Sequence, residues 1–350
     1  MTEKVAVAMS GGVDSAGAAL LLREMGFDVS GVTLLLHHFR DGAGDEVASA
    51  QDAARALGIP HEVLDLCGLF RQAVMDPFVA AYTAGRTPNP CIDCNRAVKF
   101  GALMEYVLSR GCRYLATGHY ARIGRDGERY LLLRGRDRRK DQSYVLWQLT
   151  QEQLSHLLLP VGEYEKPAIR AMAAAHGFCS AGRRDSQDIC FIPDGDYMRF
   201  LEEYGGVTPV PGDFVDQEGR VLGRHRGLER YTAGQRRGLG VSAERPLYVL
   251  SKDLSRGTVV LGPDEALYTR TLSASHVNLI SLPELTGPVR VTAKTRYSQQ
   301  EAAATAEPLP GGGMWVVFDE AQRAVTPGQS VVLYDGERVA GGGIIEASGT

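Results

Sequence analysis

Long apolar runs are absent from this sequence of 350 residues. No stretch approaches the roughly 18 consecutive apolar residues that a membrane-spanning helix needs. The segment from Met1 to Met9 is also too short, and too soon followed by glycine and aspartate, to resemble a secretory signal. We therefore expect a cytoplasmic protein that does not associate with a membrane.

Cysteine is scarce as well, and neither sign of charge is in large excess. Six cysteines are too few for a disulfide scaffold, so we expect them to be buried or to be working thiols. With 38 Lys and Arg against 42 Asp and Glu, the formal net charge of −4 excludes a protein that is basic throughout. Positive residues nevertheless cluster from Arg122 to Asp141 and from Arg220 to Arg237, which favours a local RNA-binding surface.

The spacing of apolar residues divides the chain into three parts. Over roughly the first third, short apolar runs alternate with helical patterns, beginning with a strand from Val5 to Met9, which indicates a parallel sheet covered by helices. Later, short β-type runs are separated by Gly, Asp and Pro. We predict an α/β domain over residues 1–204, a small β domain over 205–270 and a barrel-like β domain over 271–350.

Between the first predicted strand and helix lies a glycine-rich turn, Ser10-Gly11-Gly12-Val13-Asp14-Ser15. Small residues at a helix N-terminus let backbone N–H groups approach an anion, so the turn suits a polyphosphate. It is not a Walker loop, because it has no lysine to reach a γ-phosphate. It resembles the PP-loop of the ATP pyrophosphatases, which cleave ATP to AMP and pyrophosphate. The resemblance implies an adenine-nucleotide α-hydrolase-like fold in which Asp14 helps to place Mg²⁺.

Three cysteines, Cys91, Cys94 and Cys190, lie in polar or turn-rich segments. Cys94 precedes a predicted helix, whose N-terminus is expected to lower the pKa of its thiol. The Cys91-x-x-Cys94 spacing alone leaves a redox pair, half a zinc site and cluster ligation open. No second Cys-x-x-Cys or Cys/His pair completes a tetrahedral zinc site.

Further motifs occur in order along nearly the whole chain: Thr87-Pro88-Asn89-Pro90 with Cys94-Asn95, Ala116-Thr117-Gly118-His119-Tyr120, Lys140-Asp141-Gln142-Ser143-Tyr144, Asp188-Ile189-Cys190-Phe191-Ile192, Gly234-Gln235-Arg236-Arg237-Gly238-Leu239-Gly240 and Thr326-Pro327-Gly328-Gln329. With the PP-loop, they resemble the tRNA-specific 2-thiouridylases, enzymes that place sulfur on C2 of the wobble uridine. The resemblance implies ATP, Mg²⁺ and tRNA as ligands, and a sulfur-donor protein, a cysteine desulfurase or a relay, as a partner.

The same resemblance assigns roles to individual residues. It makes Cys94 the nucleophile and Cys190 the persulfide carrier, with a transient disulfide between them. It implies that ATP is bound by Ala8, Met9, Ser10, Gly11, Gly12, Val13, Asp14, Ser15, Leu34 and Gly118. It implies that tRNA is contacted by Asn89, Pro90, Cys91, His119, Lys140, Asp141, Gln142, Arg296, Tyr297 and Gln329, of which Asn89 to Cys91 adjoin the target base.

Cys91 departs from the family pattern, because many members have Asp at this position. A third thiol leaves two mechanisms open: a Cys190 persulfide, which we favour, and a [4Fe-4S] cluster held by Cys91, Cys94 and Cys190. Two other function classes remain as alternatives. One is a PP-loop ligase or amidotransferase that acts on a small metabolite, and the other is a non-catalytic tRNA-binding protein.

Overall fold

The computed structural model describes residues 2–37, 43–178 and 189–349. Its strands, in chain order, are β1 (Lys4–Ala8), β2 (Asp28–Leu35), β3 (His61–Asp65), β4 (Tyr114–Ala116), β5 (Ala121–Asp126), β6 (Arg129–Arg134), β7 (Leu157–Leu158), β8 (Gly212–Val215), β9 (Val221–His225), β10 (Tyr248–Asp253), β11 (Thr258–Gly262), β12 (Tyr268–Leu279), β13 (Val289–Lys294), β14 (Ala302–Leu309), β15 (Gly313–Arg323), β16 (Ser330–Asp335) and β17 (Arg338–Gly349).

The α-helices are α1 (Val13–Glu24), α2 (Ala43–Leu57), α3 (Cys67–Phe70), α4 (Asp76–Thr83), α5 (Pro90–Asp93), α6 (Met104–Ser109), α7 (Gln151–Ser155), α8 (Lys166–Ala175) and α9 (Tyr197–Glu203). Two π-helical segments, Arg71–Met75 and Cys94–Leu103, continue neighbouring helices. Short 3-10 turns cover Ser143–Leu146, Pro160–Glu163, Leu228–Arg230 and Asp264–Leu267.

The first part of the chain contains a five-stranded sheet in the order β3-β2-β1-β4-β7. Every neighbouring pair in it is parallel, which confirms the predicted α/β architecture. Val5 and Val7 of β1 are fully buried, as expected for a central strand that is covered on both faces. Because the chain order reverses at β1, with β2 on one side and β4 on the other, the loops after β1 and β4 meet at the carboxyl edge where such sheets bind ligands.

Apolar side chains from helices cover both faces of this sheet. On one face, Leu20 of α1, Ala50 of α2 and Ile169 of α8 share one buried core with β1. On the other face, Phe100 and Val107 share a second core with the β-barrel described next. The sheet is therefore held rigidly enough to fix the loops at its carboxyl edge.

The rest of the chain is built from β-strands. Strands β10, β11, β8 and β9 form a small four-stranded sheet. Strands β12 to β17 form a ring, because β12 pairs with β15 on one edge and with β17 on the other. This closed six-stranded barrel confirms the prediction of a barrel-like C-terminal region. The predicted boundary between residues 270 and 271 falls inside β12, so the exact division of the chain stays a prediction.

The hairpin β5–β6 connects the first part to the barrel, since Leu133 of β6 pairs with Arg338 of β17. Trp147 and Tyr144 lie at this junction with almost no exposed surface, and both bond to Ser330, at 3.1 Å through the indole Nε1 and at 2.8 Å through the phenol. Burying one large aromatic side chain stabilises a fold by about 1.5–3 kcal/mol. The two parts therefore pack as one body. No helix in the described part of the chain is long and apolar enough to cross a membrane.

Candidate active site

The glycine-rich turn after β1 is shaped as an anion site. Gly11 has a φ of +72°, and a Cβ there would lie 2.4 Å from the carbonyl oxygen of Glu46. Ser15 Oγ accepts a hydrogen bond from the Ser10 N–H and donates one to the Gly12 carbonyl, each at 3.1 Å. No side chain caps α1. The free N–H groups of its first turn are therefore available to a phosphate.

Asp14 lies in this first turn but already has partners. The buried Lys166 Nζ, from the start of α8, approaches its two carboxylate oxygens at 2.7 and 2.6 Å. The Tyr120 hydroxyl donates to Asp14 Oδ1 at 2.8 Å. Lys166 thus places next to the phosphate loop the positive charge that the loop sequence lacks.

The loop after β4 packs directly against the phosphate loop. A Cβ on Gly118 would lie 2.7 Å from the backbone carbon of Asp14, so only glycine allows this approach. His119, predicted to contact tRNA, has only 8% of its surface exposed and bonds through Nδ1 to Thr117 Oγ1 at 2.7 Å. Burial lowers the pKa of His119 well below its usual value, which keeps the imidazole neutral. Leu34, predicted to bind ATP, lies half-buried near the end of β2.

Cys94 is held one turn inside a helix rather than at its start. Asn89 caps α5 by accepting a hydrogen bond from the Cys91 N–H at 3.2 Å, and Pro90 occupies the first helical turn. The Cys94 side chain is therefore buried, with 7% exposed. Desolvation raises the pKa of its thiol, against a smaller lowering effect of Lys99. The expectation that a helix N-terminus lowers this pKa is wrong, because Cys94 lies inside the continuous helical segment, where desolvation raises the pKa.

Cys190 reaches the same place from a distant segment of the chain. Phe191 and Ile192 are buried in one apolar core with Cys94, and this packing fixes the backbone next to Cys190. Both Cys190 and Cys91 are exposed to solvent. Surrounding protein nevertheless raises the pKa of Cys190 to about 12, mainly by desolvation and further through Cys94 and Cys91. Desolvation also raises the pKa of Cys91.

Lys99 is a cation whose charge acts on all three thiols. Its positive charge lowers the pKa of Cys91, Cys94 and Cys190, opposing the larger effect of desolvation. The π-helical winding from Cys94 to Leu103 explains its position. At about 4.4 residues per turn, positions five apart lie on one side of the helix, whereas an α-helix of 3.6 residues per turn separates them by about 140°.

The barrel adds a wall beside the Thr87-to-Cys91 segment. Gln329 Nε2 donates to the Thr87 carbonyl at 2.7 Å, and the Thr87 N–H donates to the Pro327 carbonyl at 3.2 Å. Desolvation chiefly raises the pKa of the Tyr297 phenol, and the charge of Cys91 raises this pKa further. Tyr297 therefore lies near Cys91. The structure thus brings Tyr297 and Gln329, both predicted to contact tRNA, to the region predicted to hold the base.

Several predicted tRNA contacts are already engaged inside the protein. Arg296 Nη2 donates to the carbonyls of Ala233 and Ala324 and to Thr326 Oγ1 at 2.7 to 3.1 Å. The carboxylate of Asp141 accepts bonds from the Gly135 and Ser143 N–H groups at 3.0 and 3.1 Å. These side chains position loops, and their tRNA contacts stay predictions.

The two basic segments are less positive in the structure than in the sequence. In the segment from Arg122 to Asp141, acidic side chains pair with Arg122, Arg134 and Arg138, for example Glu337 with Arg122 at 2.7 Å. In the segment from Arg220 to Arg237, Arg220 bonds to Asp216 at 2.6 Å. Arg236 and Arg237 are exposed and have no acidic partner within the ranges that the structure describes.

The three thiols do not form a metal site as they are placed. Within residues 2–37, 43–178 and 189–349, no three His, Cys, Asp or Glu side chains are arranged to hold a metal ion. This finding lends no support to an iron–sulfur cluster, and a cluster held by Cys91, Cys94 and Cys190 stays a prediction.

Comparison with known proteins identifies the family. Residues 3–194 match the tRNA methyl transferase HUP domain, residues 198–263 the tRNA methyl transferase PRC-barrel domain and residues 269–345 the aminomethyltransferase beta-barrel domain. A tRNA-specific 2-thiouridylase MnmA of Heliobacterium modesticaldum is 50% identical over 99% of this chain and 93% of its own length. The chain belongs to the tRNA-specific 2-thiouridylase family.

Other members of the 2-thiouridylase family match equally completely. The Moorella thermoacetica protein is 49% identical over 97% of this chain and 99% of its own length. The Acetivibrio thermocellus protein is 47% identical over 98% and 99%. Membership confirms the predicted enzyme class, a tRNA-uridine sulfurtransferase with an ATP-binding HUP domain. It favours this class over a small-metabolite ligase and over a non-catalytic tRNA-binding protein.

Sequence reasoning missed Lys166, Tyr120 and Lys99. Lys166 follows Asp14 by 152 positions, so no local pattern connects the two residues. Tyr120 belongs to a recognised motif, but its hydroxyl had no assigned role. Lys99 could not be identified from the sequence, because an α-helix from Cys94 onward would place Lys99 on a different side from Cys94. A test for π-helical spacing between a thiol and a lysine would have found it.

Proposed function

We propose that this protein converts the wobble uridine of tRNA to 2-thiouridine, using ATP to activate the base and a persulfide on Cys190 to supply sulfur. The convergence of Cys94 and the Cys190 segment in one packed core supports the proposal most strongly. A thiouridylase with two thiols needs them close together, because one must break the S–S bond of the other.

In the first step, the uracil O2 attacks the α-phosphorus of ATP and pyrophosphate leaves. The free N–H groups at the start of α1 would bind the pyrophosphate, with Lys166 as the neighbouring cation. Mg²⁺ enters with ATP, since it is usually held by substrate phosphates and one or two carboxylates. Asp14 would supply the carboxylate, because it lies in the first turn of α1, where the phosphates would bind. Its contact with Lys166 would then have to be shared with the metal.

In the second step, the terminal sulfur of the Cys190 persulfide adds to C2 and AMP leaves, which joins Cys190 to the base through an S–S bond. The Cys94 thiolate then attacks the Cys190 Sγ. A Cys94–Cys190 disulfide forms, and the outer sulfur stays on C2 as the thiocarbonyl. Each turnover therefore consumes two electrons from an external thiol reductant, and a sulfur-donor protein must restore the persulfide.

The proposal divides the work between the parts of the chain. Residues 1–204 carry the nucleotide and the thiols. Residues 205–270 and 271–350 present tRNA-binding surfaces, of which Tyr297 and Gln329 lie beside the predicted base site. The solvent exposure of Cys190 supports this division, because a donor protein must reach that sulfur.

Serine variants of the two thiols test the proposal. Cys190→Ser should lower 2-thiouridine yield more than about 100-fold, because no sulfur carrier remains, and Cys94→Ser should do the same because the S–S bond is not broken. Both variants should still release pyrophosphate with tRNA and ATP, since adenylation uses neither thiol. Nucleoside mass spectrometry measures the product.

Cys112→Ser is the matched control, because Cys112 is partly buried against the core on the α6 side of the sheet, apart from the other thiols. It should thiolate like the unmodified protein. Normal thiouridine yield from Cys190→Ser would disprove the persulfide role.

A further inference from the structure

Tyr120 lies between the phosphate loop and the Lys140-to-Gln142 loop that is predicted to contact tRNA. Its ring is buried, with 2% exposed, and its hydroxyl donates to Asp14 Oδ1 at 2.8 Å. Its backbone N–H donates to Gln142 Oε1 at 2.9 Å, and its backbone carbonyl accepts from the Gln142 N–H at 2.8 Å. One residue is therefore bonded to both sites.

The surroundings of Tyr120 make this connection stiff. On the nucleotide side, Gly118 packs against the backbone of Asp14. On the other side, a Cβ on Gly135 would lie 2.6 Å from the Tyr120 carbonyl oxygen, so the chain that follows β6 packs closely against Tyr120. A shift at either loop must therefore move Tyr120 or break a hydrogen bond.

A second path runs parallel to the first. Lys166 bonds to Asp14 through Nζ at 2.6 Å, and its backbone N–H donates to Asp137 Oδ2 at 3.1 Å. Asp137 begins the turn that leads to Lys140, since its carbonyl accepts from the Lys140 N–H at 3.1 Å. The ammonium of Lys166 also lies 5.6 Å from the centre of the Tyr120 ring.

Building on the proposed function, we propose that Tyr120 is a positioning residue that couples ATP binding at the phosphate loop to tRNA binding at residues 137–142. Residues of one hydrogen-bond network influence each other energetically, and coupling between two ligands is reciprocal. Such coupling makes the enzyme hold ATP best when tRNA is present, which limits ATP cleavage without a base to activate.

Tyr120→Phe removes the hydroxyl and keeps the ring. We would measure the Kd of a non-hydrolysable ATP analogue with and without tRNA that carries an unmodified wobble uridine. For the unmodified protein, tRNA should tighten nucleotide binding at least about fivefold. For Tyr120→Phe, the ratio of the two Kd values should fall to about half or less of its value in the unmodified protein, because only the Lys166 path remains. Nucleotide binding without tRNA should change less than about threefold.

Tyr164→Phe is the matched control, because Tyr164 packs against the same core and its hydroxyl has no bonding partner among the described residues. Tyr164→Phe should keep the same ratio of the two Kd values as the unmodified protein. If Tyr120→Phe fails to fold, Gln142→Leu breaks the network from the tRNA side and should also lower the ratio. Because Gln142 is itself a predicted tRNA contact, this variant is measured at a tRNA concentration that saturates it. A ratio near one in the unmodified protein, or a full ratio in Tyr120→Phe, would overturn the coupling.

This experiment needs no turnover, so it separates the two proposals. Absence of 2-thiouridine from the unmodified enzyme, supplied with a persulfide donor, would count against the proposed function. A lower Kd ratio upon Tyr120→Phe with normal tRNA binding would support the coupling in either case.

Discussion

The Cys190 thiol is open to solvent, yet the protein around it raises its pKa to about 12. The thiolate is the reactive form of cysteine. At pH values below the pKa, the thiolate fraction should grow about tenfold for each pH unit. Alkylation of Cys190 by iodoacetamide should therefore keep rising from pH 8 to pH 10, whereas a free cysteine peptide levels off above about pH 8.5. Mass spectrometry of the Cys190 peptide measures the rate.

Lys99→Met supplies a control for the same experiment. It removes the positive charge that opposes desolvation at this thiol, so alkylation of Cys190 should slow further at every pH. A rate that levels off near pH 8.5 in the unmodified protein would show that Cys190 is not desolvated.

Cys91→Asp separates the two sulfur mechanisms. On the persulfide route Cys91 is an accessory thiol on an exposed surface, so thiouridine yield should stay within about threefold of the unmodified protein. On the cluster route it is a ligand, and both activity and bound iron should disappear. Anaerobic reconstitution followed by iron determination and nucleoside analysis distinguishes the outcomes. An inactive variant with normal ATP binding would argue against the persulfide.

At the residue scale, the sequence offers candidate site residues where chemistry follows local motifs. The phosphate loop, Cys94 and Cys190 could all be singled out because each lies in a short recognisable pattern. The rise in the pKa of Cys94 could not be predicted, because it depends on burial by Phe191 and other side chains from distant segments. The pairing of Lys166 with Asp14 likewise depends on how α8 packs against α1.

At the scale of elements, two glycines of the nucleotide site should respond differently to added side chains. A Cβ on Gly12 would meet only Ser10 Oγ, at 3.4 Å, so Gly12→Val should change the free energy of unfolding by less than about 1 kcal/mol. It should still weaken ATP binding at least tenfold, about 1.4 kcal/mol, because the side chain blocks the phosphates. Thermal unfolding and ATP titration measure the two effects.

Gly118→Ala provides the contrast. Its Cβ would lie 2.7 Å from the Asp14 backbone, so this variant should lose about 1–3 kcal/mol of stability as well as ATP affinity. Equal stability losses in Gly12→Val and Gly118→Ala would contradict the geometry of the loop.

Elements were predictable where their own residues specify them. The central strands of the parallel sheet are continuous apolar runs and were expected. Strand β12 is rich in Thr and Ser, and its extended form depends on pairing with β15 and β17 at its two edges. The hairpin β5–β6 was hidden in a basic segment, although Gly127, with a φ of +59°, is at the first position of its two-residue turn, where glycine favours a hairpin.

At the scale of the whole molecule, the structure redistributes the charge that the sequence shows. Acidic residues form ion pairs with many arginines within the fold, so a smaller number of arginines remain unpaired. The overall charge of −4 is compatible with RNA binding, because these unpaired arginines can still contact phosphates. Arg236 and Arg237 are exposed members of this group in the described structure. tRNA affinity should therefore depend on particular arginines rather than on the basic segments as a whole.

Salt dependence of tRNA binding tests this distinction. The slope of log K against log salt is roughly −0.7 to −0.9 for each neutralised phosphate, because binding releases condensed counterions. Arg236→Gln and Arg237→Gln should each make the slope shallower by about one contact. Arg220→Gln, in the same segment, should leave it unchanged, since Asp216 and Glu218 already neutralise this guanidinium at 2.6 and 3.2 Å. Filter binding at several salt concentrations measures the slopes. A slope near zero for the unmodified protein, or an equal change in all three variants, would refute a tRNA surface made of unpaired arginines.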